Sequence, residues 1–196
     1  MSRLVESLQL KDGILQNVEY HNRRMSRALR DLFHIDKAAD LVNEIEIPSE
    51  LMTGLFKCRV VYDRNIDTIE FIPYVVKTVR SLKIVHGDID YSYKFEDREG
   101  IKELFAERGN CDDILIVKNN LITDTSSANI VFYRDRKWYT PSTHLLKGTK
   151  RARLLDKEII FPEEITVHDI KHYSKASLIN AMLDIGDVVI DIENIL

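Results

Sequence analysis

The sequence has 196 residues, 44% of them hydrophobic and 31% charged, which is typical of a globular protein with one domain or two small ones. No apolar run approaches the roughly 18 residues that a membrane span needs, and the N-terminus lacks the apolar core of a secretory signal, so we expect a soluble, cytoplasmic protein. The formal net charge of -4 argues against a protein built mainly to bind nucleic acid, and the two widely separated cysteines offer neither a disulfide framework nor a zinc motif.

The first half of the chain, residues 1–87, is predicted to form a small α/β lobe. Turn-forming residues at 11–13 and 63–65 each separate two β-rich runs, which predicts two hairpins. Residues 20–33 carry apolar side chains at helical spacing with arginines on the other face, so we expect an amphipathic helix there. The predicted strands of this half are residues 4–10, 14–18, 56–62, 68–76 and 81–85.

The second half, residues 88–196, is predicted to form the other lobe. We expect helices at residues 98–108, 149–155 and 174–183, the first of them ended by Gly109. The predicted strands are residues 113–117, 130–133, 137–139 and 187–191. Because no repeat or long linker separates the halves, we expect an α/β fold of two interlocked lobes with the functional site in the cleft between them.

Four sequence blocks stand in an order that resembles a known family. Residues 121–130 read L-I-T-D-T-S-S-A-N-I, residues 139–141 read Y-T-P, residues 146–151 read L-K-G-T-K-R, and residues 21–25 read H-N-R-R-M. They resemble the elements Thr-Glu-x-Ser-x-Ser-Asn, Tyr-Thr-Pro, Leu-Pro-Gly-Ile-Thr-Arg and His-x-x-Arg-Leu of the class IV aminotransferases. That family includes branched-chain and D-amino-acid aminotransferases and 4-amino-4-deoxychorismate lyase.

The resemblance implies a D-amino-acid aminotransferase-like fold with pyridoxal 5'-phosphate (PLP) in the inter-lobe cleft. Such a site needs an amine, an acid that faces the pyridine nitrogen, and donors for a phosphate dianion. By position, Lys94 would carry the cofactor as a Schiff base, Asp124 would pair with the ring nitrogen, and Arg24 would give the phosphate two parallel hydrogen bonds. The alternatives are a solvated surface lysine for Lys94 and a turn-capping residue for Asp124.

Two further segments would hold the phosphate in such a site. Gly148, Thr149 and Lys150 open a predicted helix, and the backbone N–H groups of a helix start suit an anion. Asn180 matches the family's second phosphate-binding turn, although an asparagine at a helix start is as often a cap. No metal site is implied.

Three departures from the family pattern bear on function. Asp124 stands where the family more often has Glu, and Lys150 replaces the usual Thr, so a hydroxyl contact to phosphate is lost. Residues 4–7 resemble the Phe-Glu-Thr end of a longer N-terminal segment that commonly supplies substrate-facing residues in the family, so we expect a short form. Specificity cannot be carried over from longer relatives.

The function implied by the resemblance is that of a PLP enzyme that acts on a small-molecule amino substrate, with Lys94 as general base and acid. The prediction is a 4-amino-4-deoxychorismate lyase-like activity that releases pyruvate and 4-aminobenzoate. An amino-acid aminotransferase of class IV is the alternative, and a non-catalytic PLP-fold binding protein is the second. Class IV relatives are usually homodimers, so we expect one. A nucleic-acid binder is poorly supported, because the arginines lack interleaved aromatic residues.

Overall fold

The computed structural model of the protein describes residues 3–36 and 38–196. Within these residues the fold is mixed α/β, and none of the helices is long and apolar enough to cross a membrane. The helices and strands, in chain order, are β1 (Leu4–Lys11), β2 (Ile14–Leu15), α1 (Val18–Phe33), α2 (Leu41–Glu44), β3 (Leu55–Tyr62), β4 (Ile66–Pro73), β5 (Leu82–His86), α3 (Glu99–Ala106), β6 (Asp113–Lys118), β7 (Leu121–Thr125), β8 (Asn129–Arg134), β9 (Lys137–Pro141), α4 (Thr149–Asp156), β10 (Ile160–Glu163), β11 (Lys175–Ile179) and β12 (Val189–Asp191).

The chain forms two compact units. The first comprises the chain up to Val75 together with Tyr93–Asp97, and the second comprises Val76–Ser92 and Arg98–Leu196. The predicted strand at residues 81–85 corresponds to β5, which lies in the second unit because it pairs in parallel with β6. The domain boundary expected after residue 87 remains a prediction.

The first unit is an antiparallel sheet in the order β2-β1-β3-β4, with α1 packed on it. Alternation along β1 places Leu4 and Leu8 in a buried cluster with Met25 and Leu29 of α1 and Val60 of β3. This burial of the apolar face of α1 explains why the predicted amphipathic helix forms, since a helix of this size is stabilised mainly by packing.

The segment around Lys94 completes the edge of β1. β2 pairs only with the end of β1, at Leu10 and Lys11, and the backbone N–H of Val5 donates to the carbonyl of Lys94 at 2.9 Å. The N–H of Glu96 likewise donates to the carbonyl of Arg3 at 2.8 Å. These two bonds on either side of residue 95 fix the backbone of Lys94 to the first unit.

The second unit is built on strands in the order β10-β9-β8-β7-β6-β5, with β11 pairing with β8 and β12. The pairs β5–β6 and β9–β10 are parallel, and the others are antiparallel. Residues 114–117 of β6 are all buried, as expected for a strand covered on both faces.

The predicted helix at residues 174–183 is wrong. This segment is strand β11 followed by a turn in which Asn180 and Leu183 exchange backbone hydrogen bonds of 3.3 and 3.2 Å. Four successive residues of β11, 176–179, are buried because β11 pairs on both edges, with β8 and β12. Short apolar runs of this kind cannot be assigned to helix or strand by periodicity alone. Strands β7 and β10 were not predicted either.

Candidate functional site

The side chain of Lys94 is half-buried in the first unit. Its Nζ donates a hydrogen bond of 2.8 Å to Oγ of Ser7 on β1. The backbone of Lys94 is held by β1 as well, so both ends of this residue are positioned by the same strand. Ser7 was not singled out from the sequence.

A buried ionic cluster lies on the other face of β1. The side chain of Glu6 is fully buried and accepts hydrogen bonds from Nε and Nη2 of Arg24, at 2.8 and 2.5 Å. Nδ1 of His21 lies 2.6 Å from the same carboxylate. His21 and Arg24 are three residues apart and therefore lie on one face of α1.

The charge states within this cluster follow from burial and pairing. Burial raises the pKa of Glu6, but the Arg24 charge and the hydrogen bonds from His21 and Arg24 outweigh it and lower that pKa to about 2. Burial lowers the pKa of His21, and the charges of Arg24 and Lys94 lower it further, against the opposing contacts with Glu6. The imidazole is therefore neutral at pH 7 and donates its Nδ1 proton to an ionised Glu6.

Arg24 pairs with a carboxylate of the first unit, and its assignment to the phosphate remains a prediction. The edge formed by Nε and Nη2 binds Glu6. Sequence reasoning missed Glu6, although a signal existed: strand alternation places this residue between Leu4 and Leu8 on the buried face of β1, and a buried carboxylate requires a partner.

Asp124 is buried on β7 in the second unit. Its Oδ1 accepts a hydrogen bond of 2.7 Å from Nδ2 of Asn129, and its Oδ2 accepts from the backbone N–H groups of Leu145 and Leu146 at 3.0 and 2.9 Å. Burial raises the pKa of Asp124 to about 6, against the lowering effect of these hydrogen bonds and of the Arg151 charge. An ionised carboxylate has about four acceptor positions, so a further donor can be accommodated.

Asn129 links Asp124 to the loop before α4. Its Nδ2 also donates to the carbonyl of Leu146 at 3.0 Å. A Cβ placed on Gly148 would lie 1.9 Å from Oδ1 of Asn129, so only glycine leaves room for this side chain. Asn129 ends the signature block noted in the sequence, yet its role as a clamp was not foreseen.

Apart from Arg24, the residues that were predicted to hold a phosphate lie at the start of α4 and in the turn after β11, both in the second unit. Gly148 is the N-cap of α4, without a side-chain capping bond, and the next two residues, Thr149 and Lys150, are buried. The Nζ of Lys150 forms an ion pair with Asp184. Asn180 lies in a turn, where its Oδ1 accepts from the N–H of Met182 at 2.9 Å and its Nδ2 donates to the carbonyl of Ser127 at 3.3 Å.

The predicted site residues therefore fall into two groups. The first unit holds Lys94 and Arg24, and both charges act on His21. The second unit holds Asp124, Gly148, Thr149, Lys150 and Asn180.

The chemistry of this donor set fits PLP. A half-buried primary amine, a buried carboxylate with a remaining acceptor position, and a helix start beside a buried ammonium group are the three kinds of group that the cofactor requires. Lys94 lies in the first unit, whereas Asp124 and the start of α4 lie in the second, and their assignment to one cofactor remains a prediction.

Comparisons with known proteins add sequence and fold relationships. The profile of a family described as "Amino-transferase class IV" matches residues 101–189. A protein of Haemophilus influenzae, described as an uncharacterized protein, is 38% identical over 185 residues, which cover 93% of this chain and 98% of that protein.

Solved structures share the fold. The crystal structure of a "putative 4-amino-4-deoxychorismate lyase" from Haemophilus somnus has a TM-score of 0.87 at 34% identity and is matched over 93% of this chain and 97% of that chain. A hypothetical aminotransferase from Mycobacterium tuberculosis, in its PLP-bound form, has a TM-score of 0.76 at 16% identity over 92% of this chain and 78% of that chain. The likeness to the Mycobacterium tuberculosis structure concerns the fold alone, whereas the likeness to the Haemophilus somnus structure extends to the sequence.

Proposed function

The chain belongs to the class IV aminotransferase family, and from this membership we propose that it is a PLP-dependent enzyme acting on a small-molecule amino compound. Within this class we propose a 4-amino-4-deoxychorismate lyase-like activity that releases pyruvate and 4-aminobenzoate. The observation that carries this choice is the match to the Haemophilus somnus protein along nearly the whole of both chains. A homodimer is part of the proposal.

Lys94 is the residue that we assign to covalent attachment of the cofactor and to proton transfer. PLP, when bound, supplies an electron sink for bonds at the amino-bearing carbon of the substrate. The amine of Lys94 is kept in one orientation by Oγ of Ser7 at 2.8 Å and by the pairing of its backbone with β1. A lysine held in this way can take up and return a proton at a fixed position, as a general base and acid must.

Asp124 and Arg24 have electrostatic roles in the proposal. Asp124, with a pKa of about 6, is mostly ionised at pH 7 and can accept a hydrogen bond from a protonated ring nitrogen. The Glu6 carboxylate holds the guanidinium plane of Arg24, so we assign to Arg24 a charge of fixed position rather than a contact to phosphate through its Nε–Nη2 edge. Gly148, Thr149 and Asn180 belong to the loops assigned to the phosphate.

The first test is covalent attachment. PLP added to the protein is expected to give an absorbance band near the visible edge, and borohydride reduction should add the mass of the reduced cofactor to the peptide that carries Lys94. Lys94→Ala should fold normally and lose the adduct. An unchanged spectrum and adduct in Lys94→Ala would show that another amine binds the cofactor.

The second test separates the lyase from the aminotransferase. Aminodeoxychorismate should yield pyruvate and 4-aminobenzoate without any added keto acid, which a coupled pyruvate assay detects. Turnover that requires a keto acid co-substrate would establish the aminotransferase alternative. Binding of PLP without turnover of either kind would favour the non-catalytic alternative, which the departures at Asp124 and Lys150 support.

A further inference from the structure

The side chain of Lys150 carries a charge that the fold has removed almost completely from water. Its side chain is 1% exposed, whereas that of its ion-pair partner, Asp184, is 57% exposed. A buried ammonium group needs a partner, because an unpaired charge in the interior is costly. The fold therefore retains Lys150 through a carboxylate that is itself still hydrated.

This ion pair joins the start of α4 to the turn after β11, the two segments of the second unit that were assigned to the phosphate. Lys150 is the second residue of α4, whose N-cap is Gly148. Asp184 directly follows the turn between Asn180 and Leu183. The buried charge of Lys150 consequently lies at the helix end that favours anions, next to the second loop.

The unequal exposure of the two partners makes the carboxylate the one that can be exchanged. Asp184 can return to water at little cost, because more than half of its side chain is already exposed. Lys150 cannot, so it requires another anion whenever Asp184 leaves. A phosphate monoester carries about -1.5 to -2 charges at pH 7 and three strong acceptor oxygens, so it competes well with a single carboxylate.

We propose that Lys150 provides the positive charge for the phosphate group of PLP, and that Asp184 is the counter-ion that Lys150 exchanges for that phosphate. This inference rests on the proposed function. It adds a charged contact to phosphate at the position where the family usually has Thr. No covalent bond changes in the exchange.

The test compares three ligands on the full-length chain: PLP, pyridoxal, which lacks the phosphate, and inorganic phosphate. Lys150→Met should bind PLP and inorganic phosphate about 10- to 100-fold more weakly, the range expected for a lost charge-assisted hydrogen bond, with little change for pyridoxal. Asp184→Asn removes the competing carboxylate, so it should bind PLP and phosphate at least as tightly as the parent. Dissociation constants from calorimetric titration provide the measurement.

The two variants distinguish exchange from a purely structural ion pair. Equal weakening of phosphate binding in Lys150→Met and Asp184→Asn would mean that the pair only joins the loops, and the proposal would be overturned. Unchanged phosphate affinity in Lys150→Met would overturn it as well. If Lys150→Met does not fold, Asp184→Asn decides alone, because weaker phosphate binding in that variant contradicts the exchange.

Inorganic phosphate also separates this inference from the proposed function. Its binding requires no chemistry at Lys94, so the expected pattern with phosphate would support Lys150 even if PLP formed no adduct. An adduct on Lys94 combined with equal affinities of parent and Lys150→Met for PLP would retain the proposed function and reject the role of Lys150.

Discussion

At the scale of single residues, the first unit is dominated by a carboxylate that water does not reach. Glu6 is fully buried and stays ionised because Arg24 and His21 surround it. A charge at a buried strand position is unfavourable unless such partners are present. The three side chains therefore stabilise the fold only together.

Glu6→Gln should therefore destabilise the protein by about 3–5 kcal/mol at pH 7, because it leaves the Arg24 guanidinium buried without its counter-charge. The pKa of Glu6 is lowered in the fold from 4.5 to about 2, so its contribution is present above pH 4.5 and lost as the pH falls toward 2. Urea unfolding at pH 7 and pH 3 should show a difference between parent and variant that shrinks at the lower pH.

A matched control is Glu70→Gln, which removes a half-exposed partner of Arg59. A surface ion pair of this kind contributes about 0–1 kcal/mol, so this change should be small at both pH values. A Glu6→Gln deficit of the same size at pH 3 as at pH 7 would contradict the assigned charge state of Glu6.

Asp124→Asn tests the electrostatic role of the second buried carboxylate. The variant keeps the size of the side chain but removes the charge, so covalent attachment at Lys94 should persist while turnover falls by at least about 100-fold. Asp124→Glu should also lose activity, because an added methylene displaces the carboxylate from the amides of Leu145 and Leu146. Steady-state kinetics with each amino substrate measures both effects, and parental turnover in Asp124→Asn would return Asp124 to a loop-organising role.

The candidate site residues were proposed from the sequence, which did not indicate the partners that the structure gives them. Asp124 was identified by its place in a motif block, and Lys94 by its position upstream of that block. Ser7 and Glu6 contact Lys94 and Arg24 across 87 and 18 residues of sequence, and only the packing of α1 and of the segment around Lys94 on β1 brings them together. Strand alternation indicates that Glu6 is buried, but it does not indicate which residues pair with it.

At the scale of helices and strands, an element was predicted correctly where its apolar residues recur at regular spacing. The helix expected at residues 20–33 is α1, because its apolar face repeats over four turns and packs on β1 and β3. The strand β7 escaped prediction because it carries polar residues: Thr123 and Asp124 are both buried, and Oγ1 of Thr123 donates to the carbonyl of Ile116 at 2.8 Å. The buried polar side chains of this strand are stabilised by hydrogen bonds, so the strand shows no apolar pattern that would predict it.

The start of α4 offers a test of how closely its loop is packed. Gly148→Ala should destabilise the protein by about 1–3 kcal/mol, because the new Cβ would lie 1.9 Å from Oδ1 of Asn129 and force that side chain away from Asp124. Gly100→Ala is the control, because its Cβ would contact only Ile89, at 3.5 Å, and this change should alter stability by about 0.5 kcal/mol or less. Equal effects of the two changes in denaturant unfolding would exclude the clamp formed by Asn129.

At the scale of the whole molecule, the course of the chain could not be predicted from local signals. Tyr93–Asp97 belongs to the first unit, although it follows β5 of the second unit in the sequence, and no local signal indicated this return. β2 is so short that it pairs only with the end of β1, and the segment around Lys94 pairs with the part of that edge that β2 leaves open. The sequence did not indicate the length of β2. The candidate lysine lies on this returning segment, so its position is determined by the sheet that it joins.

Each unit has its own buried cluster, and this leads to a prediction about local stability. Leu29 belongs to the buried cluster of the first unit and Leu178 to the largest of those in the second, and Leu→Ala at such sites typically costs about 2–5 kcal/mol. The amides of Val5 and Glu96 are bonded within the first unit, so Leu29→Ala should speed their hydrogen exchange under native conditions, whereas Leu178→Ala should leave them nearly unchanged. Equal loss of protection in both variants would mean that the chain opens as a single cooperative unit. If Leu178→Ala rather than Leu29→Ala reduced the protection of the Glu96 amide, the segment around Lys94 would belong to the second unit. β1 would then not position Lys94.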